Sequence, residues 1–306
     1  MFPELNNLLD ASPDKPEEGT LTLLCDVKTD GSFLVHHFLS FYLRAGCKVC
    51  FVALLQSFSH YNIVAQKLGV SLAAAKERGQ LVFFEGLKST AGALSGSEEP
   101  SHPLPFIRGG SRDLRPLSDF VRRALMPPDD ATGSPSRPAL LVDDLSVLLS
   151  LGLAPVAVLD FIHSCRVTVC RRLKRLLLLK LERPKVGQHG RVRGPPTPRS
   201  PGRSPPVPHP PGAPQGNVVV LAHDGGDGED EENDLLVNAL GHQSGLILRA
   251  EGLATGFCED VHGQLTIRRR GPPWLKAKRE PLQIYQYKIQ DKSVSFFARG
   301  MSAAGP

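Results

Sequence analysis

The turn Cys25–Ser32, with the sequence CDVKTDGS, lies where a nucleotide-binding protein would hold a phosphate. A phosphate-binding loop follows the pattern G-x-x-x-x-G-K-[ST]: its glycines turn backbone N–H groups inward, its lysine neutralises the phosphates, and its hydroxyl binds Mg²⁺. Here Cys25 and Asp30 occupy the two glycine positions, and Gly31 occupies the lysine position. Only Ser32 agrees with the pattern, so the turn lacks a Walker A motif.

The charges of this turn also disfavour a phosphate. Asp26 and Asp30 are negative, and Lys28 is one compensating cation. The N-terminus of the following helix remains a favourable place for an anion. We expect Asp30 to occupy that place itself, as the N-cap of the helix.

A second acidic pair ends the apolar stretch ALLVDD. In a nucleotide site, either Asp143 or Asp144 would hold a Mg²⁺-bound water. The sequence DDLS is equally suited to capping the next helix, and both interpretations stay open here. Because the lysine and the glycine turn are missing, we do not expect ATP hydrolysis by this chain, and we predict no catalytic, cofactor-binding or metal-binding residue.

Three other groups of residues invite a chemical interpretation. His36 and His37 are adjacent in a helix and point about 100° apart, so we expect packing or surface residues and not a metal site. Cys47 and Cys50 form a C-x-x-C without a second Cys/His pair at zinc spacing, which indicates buried thiols. The acidic run His223–Asp234 lacks the order of an EF-hand loop and is predicted to be a solvated loop before a helix.

The elements that position these residues alternate between strands and helices, which predicts an α/β fold with a mostly parallel sheet covered by helices. Strands are predicted at 21–25, 48–54, 81–87, 138–142 and 217–224, and helices at 31–46, 59–69, 112–125 and from 145 to about 173. Ser59 is the expected cap of the second helix, and residues 88–112 are predicted to be a loop.

The C-terminal part changes character. The segments GLILRAEGLATG, GQLTIRRR, LQIYQYKIQ and SVSFFARG follow one another without helices, and we expect antiparallel strands that extend one edge of the sheet. The last two flank QDKS as a hairpin, with Tyr285, Tyr287 and Ile289 on one face.

The positive charge of the chain is concentrated in one segment. Residues 171–216 hold 11 Lys/Arg and 1 Glu, which leaves 25 basic against 30 acidic residues elsewhere. Within it, Arg175–Gln215 has 11 of the 27 prolines and is predicted to be a disordered insertion. A nucleic-acid arm and a weak PxxP ligand at Pro205–Pro208 are alternatives to an insertion without a role of its own.

No signal peptide is predicted, because the first residues have no basic start followed by an apolar run. The apolar stretch Leu145–Leu159 is too short to span a membrane and contains Pro155, so we predict a buried helix pair. Nucleus or cytoplasm is the expected compartment.

Long blocks of the sequence carry a resemblance to a known family. The blocks KTDGSFLVHHFLSFYL, CKVCFVAL, LLVDDLSVLLSLG, APVAVLDFIH and YQYKIQDKSVSFFA resemble the Elongator complex protein 6 family, in order from Met1 to about Ser302. The resemblance breaks at Arg175–Gln215, where members of the family pass directly from the helix to the strand GNVVVLAHD.

The resemblance implies a single RecA-like domain over residues 1–306 that has lost its Walker A motif. It implies assembly with Elongator complex proteins 4 and 5 into a ring of six that binds tRNA, joins the catalytic subcomplex and supports modification of wobble uridine 34. The catalytic chemistry then belongs to another subunit, without a cofactor on this chain. The C-terminal strands and the helix around Phe33–Tyr42 are the expected interface elements. The alternative hypothesis is a degenerate P-loop ATPase with its own nucleotide turnover.

Overall fold

The computed structural model describes residues 1–86, 113–125, 136–170, 215–225, 230–254, 256, 258–270 and 282–298. The helices in these ranges are α1 Pro3–Leu8, α2 Ser32–Arg44, α3 Phe58–Lys67, α4 Leu72–Glu77, α5 Arg115–Leu125, α6 Ser146–Ser150, α7 Pro155–Cys170 and α8 Glu231–Gln243. The strands are β1 Leu21–Val27, β2 Lys48–Ala53, β3 Leu81–Glu85, β4 Pro138–Val142, β5 Asn217–His223, β6 Leu246–Glu251, β7 Gly263–Arg269, β8 Gln283–Ile289 and β9 Val294–Ala298.

The strands form one sheet in the order β3-β2-β4-β5-β1-β6-β7-β8-β9. The first six strands in this order are parallel, and β7 to β9 are antiparallel to their neighbours. The predicted α/β class, with a mostly parallel sheet and antiparallel C-terminal strands, is therefore confirmed. The prediction that the segment GLILRAEGLATG is antiparallel was wrong for its strand, β6, which runs parallel to β1. The physical reason is that α8 lies between β5 and β6 and returns the chain to the same end of the sheet.

Helices cover both faces of the parallel part. One apolar core lies between the sheet and α1 to α4, and a second lies between the sheet and α5 to α8. All seven residues of β1 and all five of β4 are buried. Strands buried on both faces need continuous apolar runs, which is why these segments show no polar alternation.

Helix α2 is buried almost all round. All residues from Phe33 to Leu43 are buried, and the helix ends before Gly46, whose φ of 70° favours glycine. The expectation that the helix around Phe33–Tyr42 offers an interface surface was wrong, because the chain's own sheet, α1 and α3 already cover it.

Several local predictions have clear outcomes. The second helix is capped by Ser57, whose Oγ accepts from His60 N–H at 3.3 Å, and not by Ser59. The hairpin of β8 and β9 is confirmed, with Tyr287 fully buried. Residues 88–112, and the insertion 175–215 except for Gln215, fall outside the described ranges. In the part of the chain described, no helix is both long and apolar enough to cross a membrane.

Candidate functional site: a filled phosphate turn

The turn between β1 and α2 uses its own carboxylates to satisfy the start of the helix. Gly31 N–H donates to Asp26 Oδ2 at 3.0 Å, and Ser32 N–H donates to Asp30 Oδ1 at 2.8 Å. The residue at the N-cap position is Gly31, and it makes no side-chain cap bond. Asp30 was therefore predicted at the wrong position, although its carboxylate does bind a helix N–H. Two donors that a phosphate would need are already occupied.

The backbone of Gly31 lies so close to the Asp26 side chain that position 31 has no room for a Cβ atom. A Cβ atom at Gly31 would lie 2.9 Å from Asp26 Cβ and 3.3 Å from Asp26 Oδ2. The glycine that stands at the lysine position of a phosphate loop thus makes room for an acidic side chain and not for a phosphate.

The cation that faces Asp26 is His223, at the end of β5. His223 Nδ1 is hydrogen-bonded to Asp26 Oδ1, and its Nε2 lies 2.9 Å from Asp144 Oδ2. Both aspartate side chains are 2% exposed, whereas the histidine side chain is 48% exposed. Hydrogen bonds to Asp144 and then to Asp26 raise the pKa of His223 to about 10, against the opposing effect of burial. At neutral pH an imidazolium therefore donates to both carboxylates. Lys28, the cation that the sequence suggested, is exposed in the turn.

Three parallel strands meet in this bridge. Asp26 lies on β1, His223 on β5, and Asp144 is the second residue after β4. Asp144 Oδ1 also accepts from Ser146 N–H at 2.8 Å, and Ser146 Oγ accepts from His223 N–H at 2.9 Å. Asp144 thus binds the N–H of the first residue of α6 while its other oxygen holds the histidine, but the N-cap position is Leu145, which makes no side-chain cap bond. The capping interpretation of DDLS therefore had the contact right and the position wrong.

The second aspartate, Asp143, serves the neighbouring loop. It is 2% exposed, and its carboxylate accepts from Leu54 N–H at 2.7 Å, Leu55 N–H at 3.0 Å and the Tyr61 hydroxyl at 2.8 Å. Burial raises the pKa of Asp143 to about 6 although these three hydrogen bonds oppose the change, and the nearby charge of Asp144 adds to it. Both oxygens of Asp143 are engaged by protein donors.

Internal contacts occupy the groups that a phosphate-binding turn would have to leave free. Carboxylates of Asp26 and Asp30 take helix donors that would face a phosphate, and an imidazolium takes the place of an external cation between Asp26 and Asp144. A phosphate placed here would meet two carboxylates and would have to displace them. Among the residues that the structure describes, no group of three or more His, Cys, Asp or Glu is arranged to hold a metal ion. The bridge of Asp26, His223 and Asp144 ties three strand ends together.

The remaining candidates are packing residues, as predicted. His36 and His37 are buried, and burial lowers their pKa values to about 4 and about 3. His37 Nδ1 accepts from Phe2 N–H at 3.1 Å, and the two rings stack. Cys47 and Cys50 are buried free thiols.

The prediction of a solvated loop at His223–Asp234 was wrong for its start, because His223 and Asp224 are paired with charged groups of the sheet. Residues 226–229 fall outside the described ranges, and the acidic residues from Asp230 onward favour the helix as the sequence predicted. Asp230 Oδ1 accepts from Asn233 N–H at 3.1 Å at the N-cap. Glu231, Glu232 and Asp234 lie in the first turn, where negative charge is favourable.

The chain matches one protein family over most of its length. The family model described as Elongation complex protein 6 matches residues 2–192 and 207–291. The unmatched residues 193–206 lie inside the predicted insertion. The chain is 58% identical to Elongator complex protein 6 of Homo sapiens over 305 residues, with 99% of each chain covered. The proteins of the same name from Xenopus laevis and Danio rerio are 53% and 42% identical, again with 99% of each chain covered.

Among solved structures, the chain resembles an uncharacterized protein from Pyrococcus horikoshii that was crystallised in complex with an unknown peptide. The TM-score is 0.54 at 13% sequence identity, and 98% of each chain is covered. At this identity the likeness concerns the fold alone, and it agrees with the mixed α/β arrangement.

Proposed function

This chain belongs to the Elongator complex protein 6 family, and from that premise we propose that it is a non-catalytic subunit of the Elongator complex. The observation that carries the proposal is the bridge of Asp26, His223 and Asp144. A chain that fills its phosphate turn with its own charged groups is suited to keeping a shape and not to turning over a nucleotide.

We also propose that the fold is a RecA-like domain that has become a pseudo-ATPase. The turn after β1 and the acidic pair after β4 lie at the same edge of the sheet, at the ends of two strands that β5 separates. A P-loop ATPase places its phosphate loop and its Mg²⁺-associated aspartate at strand ends along one such edge. Both positions are present in this chain, and both have structural partners. A scaffold subunit needs the strand, the turn and the helix to keep their shape, but it does not need them to turn over a nucleotide.

The assembly that fits this scaffold is a ring of six with Elongator complex proteins 4 and 5, which binds tRNA and supports wobble uridine 34 modification in cytoplasm and nucleus. Support comes from the family resemblance and from the solvent-facing side of β6 to β9. Ile284 and Phe297 lie there, half-buried among polar side chains, since alternate residues of these strands face away from the α1–α4 core. Ring subunits need extended and partly apolar surfaces of this kind.

Co-purification tests the assembly. The full chain, tagged and expressed in cells, is expected to retain Elongator complex proteins 4 and 5 and the remaining subunits, identified by mass spectrometry. Recovery of the tagged chain without any Elongator subunit contradicts the proposal. Peptides from residues 175–215 in the same sample also show whether the segment belongs to the protein that assembles.

Nucleotide binding separates the scaffold from the alternative, a degenerate P-loop ATPase. We expect no saturable Mg·ATP binding by the isolated full chain. Asp30→Ala removes one carboxylate from the turn but leaves the bridge of Asp26, His223 and Asp144 intact, so the variant should not bind either. Saturable binding by the wild-type chain refutes the scaffold interpretation.

A further inference from the structure

Three consecutive arginines, Arg268 to Arg270, lie at the end of β7, whose last residue is Arg269, and they divide between the two sides of the sheet. Arg269 is directed toward the α1 side, where it pairs with Glu17 at 3.0 Å and donates to the Leu9 carbonyl. Arg268 lies on the opposite face, because successive side chains of a strand alternate. Arg270 follows the strand and lines the groove on the same side as Arg268. The same local sequence therefore supplies one structural arginine and two that face outward.

A groove lies on that outward side, between α8 and the strands β1, β6 and β7. Its volume is about 290 Å³. Its apolar wall includes Leu23, Val237 and Ile247, and Leu282, which is 55% exposed, forms part of its rim. Within this wall, Leu23 is 1% exposed, whereas Val237 and Ile247 are half-buried.

The groove is positively charged. Arg249, Arg268 and Arg270 line it, and its lining contains no Asp or Glu. Arg249 is already neutralised, because its guanidinium lies 2.5 Å from Asp224 Oδ2 and 2.9 Å from Glu251 Oε1. Within the described ranges, Arg268 and Arg270 form no ion pair. Among the described residues, the groove thus carries two guanidinium groups without an ion-pair partner, beside the apolar side chains of its wall.

We propose that this groove is a docking site for an acidic segment of a partner protein, with one apolar side chain flanked by Asp or Glu. Guanidinium groups bind carboxylates through paired hydrogen bonds, which accounts for the choice of charge. The apolar wall and the rim at Leu282 receive the apolar side chain, as in interfaces where a few anchors supply most of the binding energy. A purely phosphate ligand would leave this wall uncovered, so the acidic peptide fits better than an RNA backbone.

The test uses the isolated full chain and a defined probe, so it does not depend on ring assembly or on the phosphate turn. A fluorescein-labelled peptide with one leucine between two pairs of glutamates is titrated by fluorescence anisotropy. We expect saturable binding below about 1 mM that weakens as salt rises. Arg268→Gln and Arg270→Gln should each weaken binding about threefold to fivefold, as for partly exposed ion pairs. Arg123→Gln, at an exposed position of α5, is the matched control and should leave the affinity unchanged.

Three outcomes overturn the proposal. The first is the absence of saturable binding up to about 1 mM, and the second is binding that both groove variants leave unchanged. The third comes from changing the probe: serine in place of leucine should weaken binding. The proposal is overturned if the serine peptide binds equally well and inorganic pyrophosphate or oligouridylate displaces it, with both effects weakened by Arg268→Gln and Arg270→Gln. The groove is then a general phosphate site.

Discussion

Substitution of His223 by glutamine tests whether the charged bridge stabilises the fold. The change removes the imidazolium and leaves the carboxylates of Asp26 and Asp144 buried, each 2% exposed, without a cation between them. Breaking a buried pair by removing one partner is costly because the remaining charge is uncompensated.

The magnitude follows from the pKa of the histidine. A rise from the ordinary value of 6.5 to about 10 corresponds to about 5 kcal/mol if solvent screened nothing. Since the side chain is 48% exposed, solvent weakens the interaction. We therefore expect His223→Gln to lower the free energy of unfolding by about 2 kcal/mol, and the melting temperature by about 5 °C.

The assay is urea or thermal unfolding of the full chain at several pH values. The pKa of His223 is raised in the folded state, so its contribution is fully present below pH 6.5 and declines as pH rises to about 10. The difference between wild type and His223→Gln should therefore be largest near pH 6 and small near pH 10.

The control is His163→Gln, at an exposed position of α7, which should unfold like the wild type at every pH. In a protein that already carries Asp144→Asn, the cost of His223→Gln should be smaller by about 1 kcal/mol. The reason is that only one buried carboxylate, that of Asp26, is then left without a cation. Equal stability of wild type and His223→Gln at pH 6, or a difference that does not change with pH, refutes the reasoning.

Three further substitutions probe the surroundings of the bridge. Gly31→Ala places a Cβ 2.9 Å from Asp26 Cβ, and equilibrium unfolding should show a loss of about 1–2 kcal/mol. Tyr61→Phe removes the hydroxyl that donates to Asp143, and should cost about 1.5–3 kcal/mol at pH 8. Because the pKa of Asp143 is about 6, the cost of Tyr61→Phe should shrink below that pH, which the same unfolding series measures. Tyr287→Ala empties a fully buried site and should cost about 3–5 kcal/mol, measured as a fall in the urea midpoint.

Most of the parallel sheet could be predicted from the sequence, because apolar strands and amphipathic helices alternate with clear stops. Gly46 marked the end of α2, and the alternation of Tyr285, Tyr287 and Ile289 marked the hairpin strand. The direction of β6 was missed because its local sequence resembles that of the antiparallel strands that follow. Strand direction depends on the crossover before it, and the crossover here is α8.

The sequence predicted what the candidate site lacks, but not the residues that fill it. The missing lysine and glycines showed that the turn could not serve as a phosphate loop, but they did not reveal what fills it. His223 lies almost 200 residues from Asp26, and no short motif links them. The usable signal was topological: a polar residue directly after an apolar strand lies beside the ends of neighbouring parallel strands. Applied to NVVVLAHD, that rule would have placed His223 near both aspartates.

The position of β1 has a consequence for biosynthesis. β1 pairs with β5 on one side and with β6 on the other, and both partners come from residues 217–251. About 190 residues must leave the ribosome after β1 before either edge can pair, which takes about 10–40 s. During that interval an apolar strand has two open edges, the state in which strands associate with other chains. The sheet therefore closes from its middle late in synthesis, and a nascent chain interrupted before Asn217 is a substrate for chaperones and not a smaller version of the domain.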